Sequence, residues 1–157
     1  MKVRKELVAL SMLSLLVACG GPNETATVPQ AEPAGVSFVD IGTHVVHFSA
    51  QSTAQLPIEV ARAYNIVRSK NRAMLNVSVL EDATDKAVPE TVTVKTVNLT
   101  GQLKNITMRQ IEEGGAIYYV AETPVANQET LIFDITVQPE DVTQASNVRF
   151  KQQFYTD

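Results

Sequence analysis

The sequence predicts an all-β domain, an immunoglobulin-like antiparallel β-sandwich of about seven strands with one short helix. Three observations carry this. Apolar residues recur at every second position in segment after segment: Leu131, Phe133, Ile135 and Val137 alternate with Ile132, Asp134, Thr136 and Gln138, the period of a strand with one buried face. Gly114-Gly115 separates two such segments, and paired glycines supply the positive φ angles of a two-residue hairpin turn. Helical periodicity is confined to one stretch, where Leu56, Val60 and Tyr64 repeat every four residues behind Pro57, enough for one or two turns.

The chain has 157 residues, 45% of them apolar, 6% aromatic and 19% charged, a composition that folds and a length suited to one domain with a short appendage. The appendage comes first. Met1-Lys2-Val3-Arg4-Lys5 leads into an apolar run over residues 7–18. At 1.5 Å per residue that run spans roughly 18 Å against a hydrocarbon core of roughly 30 Å, so residues 1–18 read as an export signal and not as a spanning helix. Leu16-Val17-Ala18-Cys19 resembles the lipobox of bacterial lipoproteins, in which the cysteine becomes the first mature residue and is acylated. Cys19 is the sole cysteine; no internal disulfide is available, and lipidation accounts for a thiol otherwise left over in an oxidising compartment. Two or three acyl chains anchor a protein in a bilayer. Gly20, where the resemblance would put Asp for inner-membrane retention, points to the outer membrane and its periplasmic face. Residues 19–35 hold three prolines and three glycines with little to bury, a tether reaching roughly 50 Å when extended. The domain is expected over residues 36–157.

Within it, strands are expected at residues 43–49, 73–80, 91–99, 103–111, 116–122, 131–137 and 148–154. In the third, the apolar positions switch from Val92 and Val94 to Val97 and Leu99, which predicts a bulge or a crossing between sheets. Tyr118 and Tyr119 should face opposite sides of a central strand, and Gln152 should be either a satisfied buried amide or a sheet-edge residue.

Several strings resemble one family: Val46-His47, Val60-Ala61 with Tyr64, Arg68-Ser69-Lys70, Asn76-Val77-Ser78-Val79, Asn98-Leu99 with Gly101-Gln102, Gly114 with Ala116-Ile117-Tyr118-Tyr119, and Phe154-Tyr155 with Asp157. They are similar to a family of small exported proteins of Gram-negative bacteria, domain of unknown function 4426. The resemblance covers nearly all of residues 47–157 and implies a single sandwich-like periplasmic domain; it supplies no activity. Plain signal peptides are common in that family, so the lipobox is a departure.

Removing residues 1–18 takes away Lys2, Arg4, Lys5 and Glu6 and lowers the formal charge from −4 to −6. An acidic chain is a poor general binder of nucleic acid. His44 and His47, the only histidines, lie near Asp40, but a spacing of three in a strand sends the imidazoles to opposite faces, against a shared metal; Met74 and Met108 are too few for a copper carrier. No cofactor is expected. Arg62, Arg68, Lys70 and Arg72 form a cationic run beside Tyr64, suited to a carboxylate, a phosphate or an acidic surface. The candidate binding residues are therefore His47, Tyr64, Arg68, Lys70 and Arg72. No catalytic residues are assigned: nucleophile-elbow, phosphate-loop and zinc-protease motifs are missing from the sequence. The leading expectation is a non-enzymatic, lipid-anchored periplasmic module for an envelope protein partner. The alternatives are a small anionic-ligand binder around His47, Tyr64, Arg68 and Lys70, and an uncharacterised hydrolase.

Overall fold

A computed structural model of the chain describes residues 37–140 and 142–157. The predicted signal segment, Cys19 and tether lie outside the described residues. The described chain is the predicted antiparallel sandwich of two sheets. In chain order it runs β1 (Phe38–Asp40), β2 (His44–Ser52), a 3-10 turn (Thr53–Gln55), α1 (Ile58–Ala63), β3 (Arg72–Glu81), β4 (Lys86–Ala87) and β5 (Thr91–Asn98). There follow β6 (Leu103–Lys104), β7 (Arg109–Glu113), β8 (Ala116–Pro124), β9 (Glu129–Gln138) and β10 (Ser146–Phe154). The first sheet has the order β1-β2-β3-β8-β7, with β4 added to β3; the second has the order β10-β9-β5-β6. No helix among the described residues is long and apolar enough to cross a membrane.

The alternation read from the sequence becomes the inner face of each sheet. Val46 and Phe48 of β2, Leu75, Val77 and Val79 of β3, and Tyr119 of β8 meet Leu131, Phe133, Ile135 and Val137 of β9 in one buried cluster. Three rings join the layers: Phe150 of β10 lies 4.7 Å from Phe48 and stacks at 4.9 Å on Phe133, within the range where aromatic pairs add to simple burial. Gly114 and Gly115 take φ of 58° and 86° in the β7–β8 turn, as that hairpin requires. Tyr118 and Tyr119 face opposite sides of an interior strand, and Gln152 is exposed on the edge strand β10.

Two expectations are corrected. The strand expected at residues 103–111 is two strands in different sheets, β6 paired with β5 and β7 paired with β8. Residues 105–108 carry the chain across, with Ile106 and Met108 turned against the core. The crossing expected inside residues 91–99 is therefore here, whereas β5 pairs with β9 in unbroken register from Thr91 opposite Gln138 to Asn98 opposite Leu131. Thr96 holds the inward place there and is fully buried. Its β-branched shape mimics valine, so Val97 is free to face outward opposite Ile132. β1 and β4, three and two residues long, are too short to show an alternation.

Thr96 Oγ1 is buried with no hydrogen-bond partner among the described residues, and an unsatisfied hydroxyl costs about 1–3 kcal/mol. Thr96→Val is therefore expected to leave stability unchanged or raise it by up to about 1 kcal/mol in urea unfolding; a clear loss would contradict the buried, unpaired hydroxyl. A second prediction concerns Glu129, whose carboxylate accepts from Lys104 Nζ at 2.7 Å, Ala126 N at 2.9 Å and Asn98 Nδ2 at 3.2 Å. Burial pushes its pKa up, but these donors outweigh burial and hold it below the ordinary 4.5. A carboxyl depressed in the folded state stabilises above its unfolded pKa and loses that contribution as pH falls through its folded pKa. The stability gap between wild type and Glu129→Gln should thus be constant near neutrality and close as the solution is acidified below about pH 4.5, measured by urea titrations across pH.

Candidate functional site

The inner faces of both sheets are consumed by the core, so function must use outer faces, edges or loops. The outer face of the first sheet is built by the complementary positions of the same strands: His47 and Gln51 of β2, Met74, Asn76, Ser78 and Leu80 of β3, Ile111 and Glu113 of β7, and Tyr118 and Val120 of β8. α1 covers one end of it. Pro57 precedes the helix and its carbonyl accepts from Ala61 N at 3.0 Å; Asn65, at φ 53°, takes the left-handed conformation just past the helix. Between these stops Leu56, Ala61 and Ile66 bury against Met74 and Val120. Ala61 takes the central place that the four-residue repeat gave to Val60, which is exposed.

The remainder of that face is an open groove in three compartments. The first, about 300 Å³, lies under α1 between Leu56, Tyr64, Met74, Ile111, Glu113 and Val120. The second, about 340 Å³, shares Tyr118 with it and extends past His47, Ser78 and Leu80 to Ala87. The third, about 210 Å³, joins the other two through Asn76, Ser78 and His47. Asn76 Oδ1 has no hydrogen-bond partner among the described residues.

Arg109 fixes the helical end. Its guanidinium donates to Tyr64 O at 2.7 Å and to Glu122 Oε1 at 3.2 Å, and the Tyr64 hydroxyl donates to the Glu113 carboxylate. The following loop is pinned by Thr53, fully buried, whose hydroxyl donates to Val67 O at 2.9 Å and accepts from Ser69 N at 2.9 Å. Thr53, Arg109 and Glu113 went unpredicted because no local pattern marks them; each acts on a residue at least 14 positions away in the chain.

The predicted binding residues do not form one site. Tyr64 and His47 line different compartments, and His47 packs against Phe38 at 5.8 Å between ring centres. Arg68 donates to Ala54 O at 2.7 Å, Arg72 lies 3.7 Å from Glu122, and Lys70 is exposed. The cavity that Tyr64 lines contains Glu113 and none of the cations, so an anion there would meet a carboxylate. His44 and His47 do face opposite sides of β2: His44 is buried, 3.5 Å from Glu90, while His47 faces outward. Among the described residues no group of three or more His, Cys, Asp or Glu is arranged to hold a metal.

A family model described as domain of unknown function (DUF4426) matches residues 38–157. The chain is similar to the crystal structure of a DUF4426 family protein from Pseudomonas aeruginosa PAO1, at 32% identity and a TM-score of 0.66, over 76% of this chain and 94% of that one. No curated protein matches the chain.

Because Arg109 holds both a backbone carbonyl of the α1 segment and a carboxylate of β8, Arg109→Ala should cost about 1–3 kcal/mol in chemical unfolding. Arg109→Lys should recover little, since an ammonium cannot reproduce the planar fork that reaches both acceptors. Amide exchange around Tyr64 should quicken in both variants; unchanged protection there would exclude the clamp.

Proposed function

This chain belongs to the DUF4426 family, and from that premise we propose that it is a non-enzymatic, lipid-anchored periplasmic module that receives an envelope protein partner on the outer face of its first sheet. The observation that carries the reading is the groove between α1 and β4. Met74, Ile111, Tyr118, Val120 and Leu80 give it an apolar floor, and Gln51, Asn76, Ser78 and His47 supply dispersed hydrogen-bonding groups. An apolar floor edged by polar groups is the usual anatomy of a protein docking surface. The three compartments succeed one another along the face, which suits a partner segment better than a compact ligand. Of the groups with chemical potential in the groove, the Glu113 carboxylate accepts from the Tyr64 hydroxyl, and the His47 ring packs against Phe38. The lipobox and the Pro-rich tether supply the anchoring half of the reading, with residue Cys19 as the acylated position.

A photo-crosslinking amino acid at Gln51, in whole cells, is expected to trap a discrete partner, whereas one at Thr93, on the outer face of the second sheet, should not. Ser78→Arg fills the groove floor from a half-buried position and should abolish the crosslink at Gln51 while shifting the melting temperature by only a few degrees, about 1 kcal/mol. Equal crosslinking from both positions, or a crosslink indifferent to Ser78→Arg, would refute the docking surface. Labelled palmitate should enter the wild-type chain and not Cys19→Ser.

A further inference from the structure

The two ends of the sandwich differ in chemistry. Strand register places the β2–β3, β5–β6 and β8–β9 connections and the C-terminus at one end, since Ser52 pairs with Ala73, Thr123 pairs with Ala73, and Glu129 pairs with Phe154. Lys104 Nζ bonding to Pro124 O brings the two sheets together at that same end. Val67, Leu99, Leu103 and Tyr155 protrude there, each between 60% and 68% exposed, although large apolar side chains are mostly withdrawn from water. Five of the ten cations in residues 37–157 also lie at this end, Arg62, Arg68, Lys70, Arg72 and Lys104, against Glu59, Glu122, Glu129 and Asp157, with Arg109 at mid-strand opposite Val120. Arg72, Arg109 and Lys104 are in ion pairs; Arg68 and Lys70 are exposed and in none among the described residues.

The opposite end holds the connections β1–β2, β3–β4, β7–β8 and β9–β10. It gathers Asp40, Asp82, Asp85, Glu90, Glu112 and Glu140, with Lys86 as the cation among its described residues. Strands of nine or ten residues separate the two ends by about 30 Å at about 3.3 Å per residue. Acidic side chains are thus gathered at one pole, and the four most exposed of the seven exposed large apolar side chains among the described residues, with Arg68 and Lys70, at the other, while Phe38, opposite His47, lies away from it.

We propose that the pole carrying Val67, Leu99, Leu103 and Tyr155 with Arg68 and Lys70 rests on an anionic phospholipid bilayer. Charge complementarity selects this occupant: cations are drawn to anionic headgroups within a Debye length, while the acidic pole is repelled and orients the domain away. Aliphatic and tyrosine side chains suit the headgroup boundary, where an apolar body and a polar tip are both accommodated. A patch of this size binds weakly alone. The proposal therefore rests on the lipid-anchored reading, because a tethered domain meets the surface at high effective concentration.

The test uses the full chain, processed and lipidated in cells and reconstituted in phosphatidylethanolamine–phosphatidylglycerol vesicles, with a bimane label at Leu99→Cys or, at the acidic pole, at Ala83→Cys. Both positions are exposed, so neither substitution disturbs the core. Doxyl lipids are expected to quench the label at position 99 at least about twofold more than the label at position 83. That excess should shrink in the Arg68→Gln, Lys70→Gln double variant and at about 1 M salt, where the Debye length is about 3 Å. Vesicle-bound protein with equal quenching at both positions would overturn the bilayer contact and leave the anchor standing. Protein that fails to float with vesicles would overturn both. An acidic protein at this pole would appear as a label at position 99 that stays unquenched on vesicles yet crosslinks to a protein in cells, which also overturns the proposal.

Discussion

The closed interior between the two sheets constrains everything else in this domain. Phe150 reaches from β10 to touch both Phe48 of β2 and Phe133 of β9, so the layers are joined by a ring triplet as well as by aliphatic packing. Removing one such ring costs about 3–5 kcal/mol, a large share of the roughly 5–15 kcal/mol that holds a domain folded. The inner positions of the long strands are accordingly given mostly to apolar or valine-shaped residues, Thr96 included, with the buried His44 at the start of β2 as an exception. Variation in chemistry is left to the outer positions, and there the two sheets diverge. The first sheet carries the open groove and α1; the second carries Lys95, Asp134 and Arg149 in one cross-strand row, with Arg149 and Asp134 joined in a forked ion pair.

That pair shows how little exposed charge has to do with the fold. The Arg149 guanidinium, by hydrogen bond and by charge, holds the Asp134 carboxyl below its ordinary 3.8, yet it lies in water and is worth little to stability. The Arg109 contacts differ in kind. They span from β7 to the carbonyl of Tyr64 and to Glu122 on β8, and so tie an irregular segment to the sheet where no ladder of backbone bonds could do so. The groove keeps its shape because α1, only six residues long and too short to be stable alone, is held by this clamp, by Tyr64 on Glu113 and by Leu56, Ala61 and Ile66 on Met74 and Val120.

The period-two pattern made β2, β3, β8, β9 and β10 legible from the sequence, because a strand with one buried face writes its orientation into alternate residues. Gly114-Gly115 was legible because its backbone conformation admits few residues. Two kinds of feature escaped. Short strands such as β1 and β4 carry no period, and Thr96 breaks the apolar pattern in polarity while keeping it in shape, which displaced the expected crossing from residues 105–108 to 91–99. The candidate site was less legible than the fold. Arg68 and Arg72 read as one receptor for an anion because they are neighbours in sequence, but Arg72 is paired with Glu122, whereas Arg68 donates to Ala54 O and keeps an exposed charge in no ion pair among the described residues. The groove itself is assembled from β2, β3, β7, β8 and α1, and no local window contains it.

The two surfaces proposed for contacts lie on different sides of the sandwich, and this would matter for a protein tethered as proposed. The groove runs along the outer face of the first sheet, parallel to the strands, whereas the apolar and cationic pole is the end that those strands point to. A domain standing on that pole holds its strands away from the bilayer and turns the groove sideways, into the space a partner would occupy. Were the apolar residues on the sheet face instead, membrane contact and partner docking would compete for one surface. The β-sandwich separates them because strand faces and strand ends are geometrically independent: side-chain alternation sets the first, turn sequences set the second, and either can change without disturbing the ring triplet between the sheets.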